Sequence, residues 1–198
     1  MGFNFLIPLT VVYTTIIVIL VWARYRYFSK VDEGTIWRGR WIYDPVAFLH
    51  ISLSFYLFFT TPGINLYAAL TCFTLYVLGT ILFFWSMRSG TNLKFASSNL
   101  GDQLVTSGPY RFIRHPLYLS YTLIWIASCV LFNSLLLWIT LIALVTFYIV
   151  SAKREEAAIM NSEHSIKYKA YKNSVGMFLP RVTKWKKLNL KRSMSHKK

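Results

Sequence analysis

Residues 45–87 read PVAFLHISLSFYLFFTTPGINLYAALTCFTLYVLGTILFFWSM, from Pro45 to Met87, without one Asp, Glu, Lys or Arg. As a single helix at about 1.5 Å per residue this stretch would reach about 65 Å, roughly twice the hydrocarbon core of a bilayer. Its middle carries Thr61-Pro62-Gly63-Ile64-Asn65, where proline removes a backbone donor and glycine permits a turn. The stretch is therefore expected to fold back on itself as two spans, near residues 45–61 and 64–86.

The same argument extends in both directions. Upstream, Phe5 to Trp22 fits one span, with Pro8 framing its first turn. Downstream, Leu117 to Ala152 is again uncharged and at about 54 Å is too long for one crossing. Asn133-Ser134 is its polar pair near the middle, so a tight helical hairpin is expected, with spans near 117–132 and 135–152. Five spans result. The composition agrees, since 55% of the 198 residues are hydrophobic and only 15% charged, too apolar for a soluble domain of this size. The first apolar run lacks a basic leader and a small-residue cleavage site, and so reads as a span rather than a signal peptide.

Loop charges test the count independently, because Lys and Arg prefer the cytoplasmic side. Arg24, Arg26, Lys30, Arg38 and Arg40 fall in the first loop, and Arg88, Lys94, Arg111 and Arg114 in the third. The other 13 of the 22 basic residues follow the fifth span, and all 7 acidic residues lie on the same face. The expectation is an integral, multi-pass protein of a bacterial inner membrane or the endoplasmic reticulum, with its N-terminus outside and its C-terminus cytoplasmic. Trp22, Tyr25, Tyr27, Phe28, Trp37, Trp41 and Tyr43 read as an interfacial aromatic belt.

The net charge of +15 does not point to nucleic acid. From Arg181 to Lys198 there are eight basic residues and no acid, interleaved with Trp185, Leu188 and Leu190. Such a tail is suited to anionic lipid headgroups, at about 1 kcal/mol per basic residue near the surface, or it is a disordered segment that only fixes topology. Cys72 and Cys129 fall inside spans, and His50, His115, His164 and His196 have no ligand spacing. A disulfide framework and a metal centre are not expected.

Polar chemistry concentrates in two places. In the third loop, Gly108-Pro109 is a turn, Ile113 to His115 is biased extended by the following proline, and Pro116 suits the first position of the fourth helix. The free N–H groups of that helix start can bind an anionic group such as an amino-acid carboxylate, and Tyr110, Arg114, His115 and Tyr118 surround it. The plainer account is that Arg114 and His115 snorkel at the interface. After the fifth span comes Lys153-Arg154-Glu155-Glu156. Negative charge near a helix C-terminus is unfavourable, so either the helix continues or the glutamates have a cationic partner. Local pairing with Lys153 and Arg154 is the commoner arrangement.

Together these motifs resemble the integral-membrane methyltransferases typified by isoprenylcysteine carboxyl methyltransferase, a family related to the phospholipid N-methyltransferases. Leu104 to Tyr110 matches L-V-T-S-G-P-Y, and Arg114 to Tyr118 matches R-H-P-x-Y. Glu155-Glu156, with Ile159 at the final position, matches E-E-x-x-L, and Tyr168-Lys169-Ala170-Tyr171 leads to Pro180 as Y-x-x-Y does. Gly90-Thr91-Asn92 matches a preceding G-x-N.

The resemblance covers residues 90–181. It divides the chain into three N-terminal transmembrane helices (1–89), a methyltransferase core of cofactor loop, two-span hairpin and cytosolic helical segment (90–181), and a basic tail (182–198). It implies an all-α enzyme that uses S-adenosylmethionine and a lipophilic methyl acceptor reached from the bilayer. By that analogy Gln103, Leu104 and Val105 line the adenosine part, and Tyr110, His115, Pro116 and Tyr118 hold the methionine part and the sulfonium surroundings. Glu155, with Glu156 as the lesser candidate, takes the cofactor's polar end. Arg114, Ser151 and Arg154 are the acceptor-side candidates. A phospholipid amine N-methyltransferase is the near alternative, and a sterol-type membrane reductase or a non-enzymatic adaptor the distant ones.

Three departures from the pattern matter. The usual Phe-Gly before the tyrosine pair is absent, and one extra residue separates Ile159 from Tyr168. Ser151 stands where the isoprenylcysteine enzymes carry an arginine for the acceptor carboxylate.

Overall fold

The computed structural model describes residues 5–23, 26, 37–89 and 104–181, with the side chains of 37–42 excepted. Six α-helices follow in order: α1 (Leu6–Ala23), α2 (Trp37–Thr60), α3 (Leu66–Ser89), α4 (Pro116–Phe132), α5 (Leu135–Met160) and α6 (Ser165–Ser174). A short 3-10 turn, Gly108–Arg111, precedes α4. The described residues contain no strand, only one isolated parallel bridge between Ile113 and Gly176. The protein is thus an all-helical polytopic membrane protein. By length and hydropathy α1, α3 and α5 suffice to cross a bilayer, and α4 is a shorter apolar helix.

Both expected reversals are present. Residues 61–65 are non-helical between α2 and α3, and Asn133 ends α4 in the left-handed region, φ 46°, with its N–H on the Cys129 carbonyl. Two bounds differ from expectation. The helix expected to begin at Pro45 begins at Trp37 and carries Pro45 inside it, because its charged first turns stand beyond the apolar run and water can serve the backbone there. The helix expected to end at 152 continues to Met160, carrying both glutamates outward.

Which face each helix buries could not be read from hydropathy, since lipid chains are as apolar as leucine. Buried residues on α1 are Leu6, Leu9, Tyr13, Ile16, Leu20 and Ala23, and on α3 Ala69, Cys72, Tyr76, Gly79, Phe83 and Ser86. Both stripes alternate steps of three and four, the spacing of knobs-into-holes packing. α3 lies closest to α4: a Cβ at Gly79 would stand 2.8 Å from Ile124 Cγ1 and 3.1 Å from the Ser120 carbonyl oxygen. Tyr76 and Ser128 hydroxyls meet at 3.1 Å across the same interface. On the other side α2 packs on α5, where His50 Nδ1 lies 2.8 Å from Thr140 Oγ1. The Thr140 hydroxyl also lies 2.9 Å from the Leu137 carbonyl oxygen. Tyr43, expected in the interfacial belt, instead turns into the bundle against Phe147 and Tyr148.

Candidate active site

The third loop is built to approach α3 closely. Gly108 has φ 57°, and a Cβ there would lie 2.0 Å from Ser89 Oγ, so only glycine fits the turn. Pro109 then opens the 3-10 turn, Phe112 closes it in the right-handed helical region, and Ile113 forms the isolated bridge with Gly176.

Residues 175–178 lie alongside Ile113 to His115. The N–H of Arg114 donates to the Gly176 carbonyl at 2.9 Å and that of His115 to Met177 at 3.1 Å. The Tyr171 hydroxyl donates to the Tyr110 carbonyl at 2.6 Å, and the Phe178 ring packs on His115 at 6.0 Å. Burial pushes the Tyr171 phenol above its ordinary pKa, which keeps it a donor. α6 and the chain after it therefore form a clamp over the Arg114-His115-Pro116 corner.

Beneath the clamp lies a charged cluster. Arg114 Nε donates to Glu156 Oε1 at 2.8 Å, and its Nη1 reaches the carbonyls of Lys172, at 3.2 Å, and Val175. Lys172 Nζ sits 2.8 Å from Glu156 Oε2, and His115 Nε2 3.3 Å from Glu156 Oε1. The Glu156 side chain is only 2% exposed. Burial by itself would raise its pKa, but hydrogen bonds from His115, Lys172 and Arg114 bring it down to about 2. Glu156 is a fully partnered buried anion.

Its neighbour has a different setting. Glu155, 20% exposed, accepts from the Tyr118 hydroxyl and has Oε2 3.4 Å from His115 Nδ1. Burial works against the imidazolium of His115, yet the two carboxylates outweigh it and raise its pKa. Next to this carboxylate is the start of α4, where Pro116 occupies the first turn and no side chain caps the backbone. This corner of the fold thus offers a part-exposed carboxylate, tyrosine and histidine rings, and N–H groups that no side chain caps.

The fold brings together Tyr110, Arg114, His115, Pro116, Tyr118, Glu155 and Glu156 around the start of α4. Leu104 and Val105 are half-buried on the approach to it, and Gln103 and Gly90-Thr91-Asn92 lie outside the described residues. Arg114, expected on the acceptor side, instead turns inward, because the buried Glu156 needs a cation and the clamp carbonyls need a donor. Ser151 is half-buried one turn before Glu155, and Arg154 is exposed. Lys172 and residues 175–178 were not foreseen. The signal for them was weak: paired glutamates near a helix end call for a cationic partner, and nothing in the sequence pattern singled out Lys172.

No curated protein matches the sequence significantly. The sequence profile of one family does, described as phospholipid methyltransferase, over residues 67–165, half of the chain. That range runs from α3 to the start of α6 and includes Arg114, His115, Tyr118, Glu155 and Glu156, but not Lys172. On this match the chain belongs to the phospholipid methyltransferase family.

Proposed function

We propose that the chain transfers a methyl group from S-adenosylmethionine to an amine on a lipophilic acceptor, at the charged end of the bundle, which faces the cytosol. The observation that carries this reading is the division between adjacent glutamates. Glu156 is neutralised by Arg114 and Lys172, whereas Glu155 keeps an accessible carboxylate beside the uncapped start of α4. The cofactor's ammonium, carboxylate and sulfonium find matching groups there: Glu155 for the ammonium, the α4 N–H groups and the charged His115 for the carboxylate, and the Tyr118 ring for the sulfonium. Gln103, Leu104 and Val105 would meet the adenosine through backbone groups. When bound, S-adenosylmethionine supplies an electrophilic methyl group. The protein's part is alignment, which supplies most of the acceleration of an in-line displacement. His115, held between two carboxylates, favours its charged form and orients Glu155 rather than accepting the acceptor's proton.

Ser151 supports an amine over a carboxylate acceptor. An acceptor carboxylate is anionic at neutral pH and needs a cation to orient it. Serine offers none, Arg114 is committed to Glu156, and Lys153 and Arg154 leave α5 at other angles, about 100° apart per residue. An amine has no such need, and the family description names a phospholipid. The motif resemblance to isoprenylcysteine enzymes keeps carboxyl methylation as a second reading. We further propose that the basic tail, which lies outside the described residues, rests on anionic headgroups.

Membranes containing the protein and S-adenosylmethionine labelled in the methyl group separate the readings. Label that survives alkali on an amine-bearing lipid is expected. Label released as methanol from a prenylated cysteine would overturn the amine assignment, and no transfer to any lipid or protein fraction would overturn the enzyme reading.

A further inference from the structure

Tyr148 lies on α5, two turns before Glu155, and is 2% exposed. The Trp125 indole N–H donates to its hydroxyl at 2.9 Å, and the Tyr43 hydroxyl lies 3.1 Å away. An indole N–H can only donate, so Tyr148 accepts from Trp125. The Tyr148 and Tyr43 hydroxyls are paired with each other, and either can donate. The hydrogen bonds link Trp125, Tyr148 and Tyr43, from α4 through α5 to α2. In hydrocarbon no water can replace a lost member of such a ladder.

The Tyr148 ring also stacks on Tyr118, centroids 5.2 Å apart and planes 18° from parallel. Tyr118 stacks in turn on His115 at 5.7 Å and donates its hydroxyl to Glu155. We infer that Tyr148 is a positioning residue for the candidate cofactor site: it fixes the Tyr118 ring and, through it, the Glu155 carboxylate. It also ties the site to α2, which lies outside the residues matched by the family. The ladder therefore makes α2 part of the machinery that shapes the pocket, through Tyr43, without touching the cofactor. This rests on the cofactor reading proposed above.

Tyr148→Phe keeps the ring and removes the rung. It should raise the KM for S-adenosylmethionine about three- to tenfold, the scale of one interhelical hydrogen bond in a membrane, with kcat changed less than about twofold. Tyr118→Phe should raise it as well. The double variant should lose less than the product of the two single losses, because the path from Tyr148 to Glu155 runs through the Tyr118 hydroxyl. A double variant showing the product of the two losses, or a parental KM in Tyr148→Phe, overturns the inference. Should Tyr148→Phe not fold, Tyr43→Phe removes the partner at the other end of the rung and should act in the same direction. A measurement without cofactor separates this inference from the reading beneath it. In protein carrying tyrosine labelled at Cζ, the Tyr118 resonance should move in Tyr148→Phe toward its position in Glu155→Gln. If the parent chain binds no S-adenosylmethionine and the resonance still moves, the cofactor reading fails and the positioning role stands. An unmoved resonance rejects the positioning role whatever the cofactor does.

Discussion

Glu155 and Glu156 are adjacent, chemically identical and placed in opposite circumstances. Removing charge from Glu156 leaves the buried Arg114 without its anion inside the fold, and breaking a buried pair in this way costs about 3–5 kcal/mol. Glu156→Gln should therefore lower the melting temperature in detergent sharply. Glu155→Gln should melt close to the parent but bind S-adenosylmethionine about 1–3 kcal/mol more weakly, the cost of losing a charged hydrogen-bond partner, which calorimetry of purified protein would read. Equal melting temperatures for the two variants would contradict the division of roles. The same residues set a pH dependence. The Glu156 pKa falls from 4.5 to about 2 on folding, so its contribution is complete above the unfolded value and lost as pH falls through that window. His115 shifts the other way: its contribution is complete below 6.5 and lost as pH rises through the raised folded value. Melting temperature should fall on both sides of a mildly acidic optimum, and Glu156→Gln should flatten the acid limb. The sequence could not rank the two glutamates by itself. Adjacent helical residues point about 100° apart, and which one turns inward depends on α6, far along the chain.

At the scale of elements, two glycines make a controlled comparison. A Cβ on Gly176 would lie 1.8 Å from the Leu179 carbonyl oxygen, whereas one on Gly63 would meet nothing within 4 Å. Gly176→Ala should force the clamp off the Arg114–His115 segment, seen as faster amide exchange at Arg114 and His115 with the spans still protected. Gly63→Ala, in the α2–α3 turn, should change stability by about 0.5 kcal/mol or less. The helices themselves were legible, because charge spacing, Pro62-Gly63 and Asn133 act locally and bilayer crossing imposes a minimum length. The start of α2 was not, because a helix in water needs no apolar run to continue. The clamp was not either. It forms by backbone pairing of Arg114 and His115 with Gly176 and Met177, which leaves no side-chain pattern. The positions of Arg114, His115 and Pro116 at the start of α4 were readable from proline chemistry, and the inward turn of Arg114 was hidden for the same reason as the clamp.

For the whole molecule, every basic residue in the sequence falls in the first loop, the third loop or beyond the fifth span. On the five-span topology expected from the sequence, this would place the charge at one end of the bundle. Single cysteines at Asn65 and Asn133, in a background lacking Cys72 and Cys129, should react with an impermeant thiol reagent from outside, while one at Ser97 should not. Labelling at Ser97 from outside would reverse the orientation. α5 adds a final consequence through its length. At about 1.5 Å per residue, the twenty steps from Leu135 to Glu155 make about 30 Å, the depth of an average hydrocarbon layer. The accessible carboxylate is thus set at the water boundary by a fixed ruler. Reconstitution in phosphatidylcholines of increasing acyl length should leave turnover highest where the layer matches that ruler and lower it in longer-chain lipids, where the carboxylate would be drawn below the headgroups or the helix forced to tilt.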